Sequence, residues 1–326
     1  MNYKMMGRLI AQILLAEAAF MVPALIISLV GQDSQAILGF ALSILVILAV
    51  AGMLMFFARK AKKGFYAREG MVCVGLAWIV MSLLGCLPFW ISREISSYLD
   101  GLFEIVSGFT TTGASILSNV EGLSNGMLYW RSFSHWVGGM GVLVFLLAVV
   151  PVSGRNDGFT MHLLRAESPG PNVAKLVPRI RSTAGILYIL YIVLTVVDLL
   201  LLLAGKMPVL EAVCTAFGTA GTGGFGVKND SMASYSPYIQ NVCTVFMLLF
   251  GVNFSCYYLL IMKQVKSVYE DEELRLYVGM VLGSVLLIVI NLRGFYGTLE
   301  ETIRHAFFQV ASIVTTTGFA TTDFDL

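Results

Sequence analysis

The sequence predicts an all-α polytopic membrane protein, and three observations carry that prediction. Of its 326 residues, 57% are apolar and only 13% are charged, which is too few charges to cover a soluble globule of this size. Several apolar runs reach the roughly 20 residues that a helix needs to cross a bilayer. One short motif rich in threonine and glycine recurs along the chain, which indicates internal repeats. No nucleic-acid partner is expected, because no segment carries a basic footprint of that kind.

The N-terminal region predicts two helices that stand outside the repeat. Apolar runs cover residues 9–30 and 36–58, and no small-residue cleavage pattern follows the first run, so it is not expected to be a removable signal. The second run ends at a basic cluster, residues 59–64, of the kind that stays in the cytoplasm.

The rest of the chain repeats a unit made of a membrane span, a half-length helix that ends in a loop, and a returning span. These segments are 71–92, 98–109 and 130–152 in the first unit; 184–205, 208–218 and 239–262 in the second; and 276–292 and 298–314 in the third. The half-length helices are too short to cross a bilayer, so they are predicted to be re-entrant. The sequence thus predicts seven transmembrane spans and three re-entrant segments around a pseudo-symmetric axis.

The repeat also predicts where the units divide. The proline-containing connection at 153–182 is predicted to be a polar cytoplasmic link rather than a folded domain. The predicted divisions are 1–66 for the two leading helices, 67–182 for the first pore unit with its connection, 183–272 for the second pore unit, and 273–326 for an incomplete third.

Each half-length helix leads into a related loop. The loops are Thr110-Thr111-Thr112-Gly113 (loop 1), Gly221-Thr222-Gly223-Gly224 (loop 2) and Thr315-Thr316-Thr317-Gly318 (loop 3). Counting back from the last glycine of each loop aligns three small residues, Ser107, Gly218 and Ser312, without a gap. A single motif of this kind would be an ordinary helix-ending turn, but three in register predict a common axis, which we interpret as an ion pathway.

The basic residues predict an N-terminus in the cytoplasm and loops that enter from the outer face. With that orientation, fifteen of the 21 Lys and Arg residues lie on the cytoplasmic side, as the positive-inside rule requires. They are Lys4, Arg8, Arg59, Lys60, Lys62, Lys63, Arg68, Arg155, Arg165, Lys175, Arg179, Arg181, Lys263, Lys266 and Arg275.

Helix electrostatics then favour a cation at the loops. A half-length helix that enters from outside points its C-terminal end, with its partial negative charge, at the membrane centre. Asp100 and Glu211 lie at the opposite ends of two of these helices, where a carboxylate complements the dipole. A glycine that takes positive φ can turn neighbouring carbonyls towards an ion, and loop backbone in a membrane must line an aqueous path.

Around these loops the sequence resembles the Trk/Ktr/HKT superfamily of potassium transporters, most closely the bacterial Trk-type translocating subunit. The resemblance extends over the whole chain, including the two leading helices. It is carried by Ser107-Gly108-Phe109-Thr110-Thr111-Thr112-Gly113-Ala114, His135-Trp136-Val137-Gly138-Gly139-Met140-Gly141, Gly223-Gly224-Phe225, Gly251-Val252-Asn253-Phe254 and Thr315-Thr316-Thr317-Gly318-Phe319-Ala320-Thr321.

The resemblance implies potassium uptake across the cell (inner) membrane through a selectivity filter, with potassium as the substrate, no covalent cofactor and no enzymatic activity. In the family, four pore loops contribute one filter glycine each. The resemblance assigns three of these glycines to Gly113, Gly224 and Gly318 in this chain. Glycine in loop 1 is the family's potassium-selective form. The carbonyls expected to hold K⁺ belong to Thr111, Thr112, Thr222, Gly223, Thr316 and Thr317. The implied partners are a second copy in a homodimer, a cytosolic nucleotide-binding ring protein (TrkA-like) and membrane lipid.

The chain also departs from the family pattern. A third return helix and a fourth unit are expected in the family but do not follow loop 3, and the chain stops at Leu326, on the outer side in the predicted topology. The sequence is therefore expected to be a truncated product or one whose fourth unit is encoded separately. Alone, it is not expected to support potassium uptake.

The function class and several individual residues have alternative interpretations. A non-conducting assembly partner keeps the fold, whereas a membrane-embedded enzyme would need clustered catalytic groups, and His135, His162 and His305 lack metal-ligand spacing. His135 is interpreted as an interfacial histidine, and the five cysteines as reduced packing residues. Glu17 and Asp198 are ionisable residues inside apolar spans, which makes them functional candidates or residues with polar neighbours. Residues 221–226 lack the strand and the lysine of a phosphate-binding loop.

Overall fold

The computed structural model describes residues 2–59, 67–141 and 180–322, and these ranges form thirteen α-helices without a strand. The helices are α1 (Tyr3–Val30), α2 (Ser34–Phe57), α3 (Ala67–Gly85), α4 (Leu87–Ile91), α5 (Tyr98–Phe109), α6 (Asn125–Met140), α7 (Ile180–Ala204), α8 (Val209–Ala220), α9 (Pro237–Gly251), α10 (Phe254–Ile261), α11 (Val265–Tyr269), α12 (Glu272–Asn291) and α13 (Leu299–Val314).

Both leading helices are present, as predicted, and they form an antiparallel hairpin. Asp33 caps α2 by accepting hydrogen bonds from the Gln35 and Ala36 amides, which satisfies two backbone donors that lack helical partners. Along its length α1 packs on α2, α3 and α6, while α2 packs on α4. The pair therefore lies against the first unit and contains no loop of its own.

Five helices in the described ranges are long and apolar enough to cross a membrane: α1, α2, the stretch Glu69–Ile91 that joins α3 and α4, α7 and α12. The three half-length helices α5, α8 and α13 lie where the sequence predicts them, with bounds that differ by at most two residues. The returning span predicted at 130–152 is described only as far as Gly141. Its remainder, the connection at 153–179 and residues 323–326 lie outside the described residues, so the count of seven spans stays a prediction.

The returning span predicted at 239–262 is not one continuous helix. It is broken between α9 and α10, which meet at an angle of 87°. The Tyr277 hydroxyl donates to the Leu248 carbonyl (3.1 Å) and the Tyr257 hydroxyl donates to the Leu249 carbonyl (2.6 Å), so both carbonyls near the break have side-chain partners. Asn253 caps α10 by accepting a hydrogen bond from the Ser255 amide. The sequence predicts one span at 239–262, and the structure divides that segment into two helices, a feature that hydropathy alone does not register.

The returning helices hold the half-length helices in sequence. In the packing, α6 contacts both α5 and α8, and α9 contacts both α8 and α13. The ring of Phe133 on α6 packs edge-on against Phe217 on α8, with ring centres 5.2 Å apart. Each returning helix therefore bridges its own half-length helix and the next one, which brings the three helix-ending loops together.

Candidate functional site formed by three loops

All three half-length helices end in the same hydrogen-bonding motif. The amides of Thr112, Gly223 and Thr317 donate to the carbonyls of Ser107, Gly218 and Ser312, over 2.9, 3.0 and 2.8 Å. A second bond joins the preceding amide to the carbonyl one residue further along each helix, which completes a Schellman motif. The three acceptors are the small residues that the sequence aligns without a gap, so the predicted register of the repeats is confirmed.

A threonine occupies the left-handed position of each motif. Thr111, Thr222 and Thr316 have φ angles of 54°, 49° and 60°. Glycine or asparagine usually fills this position, and a β-branched residue with positive φ is an outlier that costs on the order of 1–3 kcal/mol. Strain that recurs at the same place in three units is typical of a functional site, where the surrounding structure maintains it.

The last glycine of each loop has positive φ, as predicted. The angles are 77° at Gly113, 74° at Gly224 and 87° at Gly318. A Cβ atom on Gly113 would overlap the carbonyl oxygen of Gly223, and one on Gly224 would overlap the carbonyl oxygen of Thr317. These contacts require glycine and place the loops in the order 1, 2, 3 around one centre.

Gly318 is the exception to this pattern of contacts. Among the described residues, no atom lies within 4 Å of the position that its Cβ would take. The arrangement is therefore an arc of three loops. Gly113 and Gly224 each face a carbonyl of the next loop, whereas Gly318 faces no other part of the described chain.

The electrostatics of the arc favour a cation. Three helix C-termini converge on the loops, and each contributes a partial negative charge. The opposite ends carry acidic residues in their first turns: Asp100 in α5, Glu211 in α8, and Glu300 and Glu301 in α13. The Tyr235 hydroxyl donates to the Glu211 carboxylate over 2.6 Å. The pKa of Tyr235 is raised, mainly by burial and secondly by this hydrogen bond. The hydroxyl therefore stays protonated and acts as the donor.

Side-chain hydroxyls brace loops 1 and 3 in the same way. The Thr110 hydroxyl donates to the Val106 carbonyl (2.7 Å) and lies 2.8 Å from the Thr112 hydroxyl. In loop 3, the Thr315 hydroxyl lies 2.7 Å from both the Ala311 carbonyl and the Thr317 hydroxyl. Loop 2 has Gly221 and Gly223 at the two bracing positions, so it must be supported by other groups.

The glycines at the C-terminal end of α6 allow this helix to approach the end of α5 and loop 2 closely. A Cβ atom on Gly138 would overlap the Phe109 carbonyl at the end of α5. A Cβ atom on Gly139 would lie 2.7 Å from Cα of Gly221 in loop 2. In α9, a Cβ atom on Gly251 would lie 2.7 Å from the Thr315 methyl group. The ends of both returning helices thus contact the first residue of the next loop.

A buried ion pair joins the segments that follow loops 1 and 2. Glu104 on α5 and Arg131 on α6 form a salt bridge, with side chains 0% and 3% exposed. Glu104 also accepts hydrogen bonds from the Ser115 hydroxyl and the Ile116 amide. Arg131 donates to the Gly226 carbonyl over 3.0 Å, and its guanidinium lies 3.6 Å from the centre of the Phe225 ring. The repeat pattern does not predict this pair, although two opposite charges within apolar segments are a signal for it.

A comparable set of hydrogen bonds joins the segments that follow loops 2 and 3. Arg304 on α13 donates to the side-chain oxygen of Gln240 on α9. The Gln240 amide donates to the Met232 carbonyl over 3.0 Å, and the Met232 amide donates to the Ala320 carbonyl over 2.9 Å. Each junction between consecutive loops therefore has a buried polar contact between the segments that follow the two loops.

Glu17, Asp198, His135 and the five cysteines are all buried. Glu17 and Asp198 are 1% and 0% exposed, and their carboxylate oxygens have no hydrogen-bond partner among the described residues. His135 is buried and bonds to the Gly108 carbonyl, whereas His162 lies outside the described residues. The described part of the chain contains no group of three His, Cys, Asp or Glu residues that could hold a metal ion. All five cysteines are free and buried, which confirms their interpretation as packing residues.

Comparison with known proteins identifies the family. Residues 37–293 match the family described as TrkH, cation transport protein. The chain belongs to the TrkH family. It is 33% identical over 327 residues to the Trk system potassium uptake protein TrkH of Salmonella typhimurium, covering 98% of this chain and 67% of that protein. It is 30% identical over 310 residues to TrkG of Escherichia coli K12, another Trk system potassium uptake protein, covering 93% and 63%.

A solved structure extends the likeness to the fold. The crystal structure of the potassium transporter TrkH from Vibrio parahaemolyticus superposes with a TM-score of 0.85 at 27% identity, covering 99% of this chain and 66% of that one. The chain thus spans about two thirds of the length of these TrkH relatives. Membership of the TrkH family, together with the apolar helices, confirms the predicted all-α, multi-pass membrane protein.

Proposed function

We propose that this TrkH-family chain forms most of a potassium uptake pathway across the cell membrane, with loops 1, 2 and 3 as its filter. The observation that carries the proposal is the arc of loops, in which Gly113 and Gly224 each lie against a carbonyl of the following loop. Strained threonines and converging helix C-termini give all three loops the same cation-favouring backbone. The names of the relatives as potassium uptake proteins support potassium as the substrate.

In this proposal, backbone carbonyls replace part of the hydration shell of K⁺. The ligands are the carbonyls of Thr111, Thr112, Thr222, Gly223, Thr316 and Thr317. The glycines that end the loops allow the close approach that these carbonyls need. The open side at Gly318 is where a fourth loop would complete the ring. The units are those predicted from the repeat, with divisions after residues 66, 182 and 272.

The relatives are named as proteins of a Trk system, so we propose that this chain also acts with other components. The resemblance implies a second copy in a homodimer and a cytosolic nucleotide-binding ring protein. Exposed apolar side chains such as Leu282, Leu286 and Leu287 on α12 suit contact with membrane lipid or with further protein helices.

Ion flux tests the proposed function. The chain is reconstituted in lipid vesicles, alone and with a fourth unit supplied from a TrkH relative, and potassium and sodium flux are measured. We expect selective potassium flux when the fourth unit is present. Flux in neither form would identify a non-conducting assembly partner, and equal flux of both ions would contradict a potassium filter.

The proposed orientation predicts which cysteine substitutions can be labelled from each side. Lys206 follows α7 on the proposed outer face, and Lys266 lies on α11 on the proposed cytoplasmic face; both side chains are exposed. Because all five native cysteines are buried, Lys206→Cys should react with a membrane-impermeant maleimide in intact cells, whereas Lys266→Cys should react only after lysis. Labelling of Lys266→Cys in intact cells would reverse the orientation.

A further inference from the structure

Loop 2 lacks the threonine braces of the other two loops, and a histidine from α6 occupies the corresponding space. A Cβ atom on Gly223 would overlap three ring atoms of His135, namely Nδ1, Cγ and Cε1. A Cβ atom on Gly221 would instead overlap the backbone carbonyl of His135 and lie 3.0 Å from its Cβ. The two positions in loop 2 therefore require glycine for different reasons. Gly223 leaves room for the imidazole ring of His135, whereas Gly221 leaves room for the α6 backbone.

The same ring is also bonded to loop 1. Nδ1 of His135 lies 2.9 Å from the Gly108 carbonyl oxygen, and because a carbonyl oxygen can only accept, Nδ1 carries the proton. Gly108 is part of the helix-ending motif of α5, since its carbonyl also accepts from the Thr111 amide over 3.0 Å. One imidazole thus contacts the backbone behind loop 1 and fills the volume behind loop 2.

Two further contacts fix the orientation of the ring. The centre of the His135 ring lies 4.0 Å from that of Phe225, the residue after loop 2, and Arg131 stacks on the same phenylalanine. His135 is 0% exposed, and Nε2 has no hydrogen-bond partner in the described part of the chain. The position of the ring is therefore determined by one hydrogen bond and by close packing.

We propose that His135 is a positioning residue for ion selectivity, which sets the spacing between loops 1 and 2 in place of the threonine pairs that brace loops 1 and 3. This inference rests on the proposed filter. Removing the ring leaves a cavity behind Gly223, whose carbonyl lies at the junction with Gly113. The carbonyl is then free to move, and discrimination between ions of different radius falls.

A rescue experiment tests this role, using vesicle flux in the form of the protein that conducts. His135→Ala is expected to lower the ratio of potassium to sodium flux about tenfold, equivalent to about 1.4 kcal/mol of discrimination. Gly223→Ala alone is expected to lower the ratio at least as much, because the new methyl group meets the ring. In the double variant the methyl group occupies part of the vacated space, so the ratio is expected to recover towards that of the unsubstituted protein.

Gly221→Ala is the matched control. The atoms nearest to its new methyl group are the His135 carbonyl oxygen, the carbonyl carbon and Cβ, all of which alanine retains. His135→Ala should therefore rescue Gly223→Ala and leave Gly221→Ala impaired. Rescue of neither glycine variant, or equal rescue of both, would overturn the assignment.

A second substitution separates the hydrogen bond from the volume and guards against loss of folding. His135→Asn retains a donor near the place of Nδ1, so it should keep more selectivity than His135→Ala and should not rescue Gly223→Ala. If neither variant of His135 yields folded protein by size-exclusion chromatography, the residue supports the fold alone and the proposal fails. Absence of selective flux in the unsubstituted protein would refute the proposed function, whereas selective flux that His135→Ala leaves unchanged refutes only the role of His135.

Discussion

Replacing Gly113 by serine is expected to lower the preference for potassium over sodium about tenfold, or about 1.4 kcal/mol of discrimination. The backbone at Gly113 has φ 77°, and a Cβ atom there would overlap the Gly223 carbonyl oxygen. The serine must therefore displace a carbonyl at the junction of loops 1 and 2 and adopt an unfavourable backbone conformation. The ratio is measured by potassium and sodium flux in vesicles that contain the conducting form of the protein.

Two substitutions of the same type make this result specific. Gly224→Ser meets the Thr317 carbonyl at the next junction, with φ 74°, and is expected to have the same effect. Gly52→Ser on α2 has no atom within 4 Å of its Cβ among the described residues and should leave the ratio unchanged. An unchanged ratio in Gly113→Ser, with normal total flux, would count against Gly113 as a filter residue.

The repeat made much of the loop geometry predictable. Because the three loops share a spacing from Ser107, Gly218 and Ser312, the sequence alone aligned the residues that accept the helix-ending hydrogen bonds. Positive φ at the loop glycines was predictable for the same reason. The threonines in left-handed conformation were not predicted, since their intrinsic preference opposes it and only the surrounding packing maintains it.

The sequence pattern could not predict contacts between side chains that lie far apart in the chain. The break after α9 involves hydroxyl groups of Tyr257 and Tyr277, and hydropathy treats both residues only as moderately apolar. Glu104 and Arg131 are far apart in the chain, and the direction in which each side chain points depends on how α5 and α6 pack. His135 was interpreted as an interfacial residue, and its contact with two loops became visible only once those loops had been placed.

Replacing Glu104 by glutamine is expected to lower the free energy of unfolding by about 3–5 kcal/mol, because it leaves the buried Arg131 guanidinium without its counter-charge. The substitution also weakens the hydrogen bonds that Glu104 accepts from Ser115 and the Ile116 amide after loop 1. Stability is measured as the midpoint and cooperativity of thermal unfolding in detergent. We expect the surviving folded protein to show a lower ratio of potassium to sodium flux, since the pair joins the segments that follow loops 1 and 2.

Glu300→Gln provides the matched control for this prediction. Glu300 pairs with Arg304 over 3.3 Å, but its side chain is 67% exposed, and exposed pairs four residues apart on a helix contribute only about 0.3–0.5 kcal/mol. Its loss should hardly change thermal unfolding. Replacing both Glu104 and Arg131 by glutamine should cost less than the sum of the single replacements, because no unpaired charge then stays buried. Equal destabilisation by Glu104→Gln and Glu300→Gln would show that the buried pair does not hold the segments after loops 1 and 2 together.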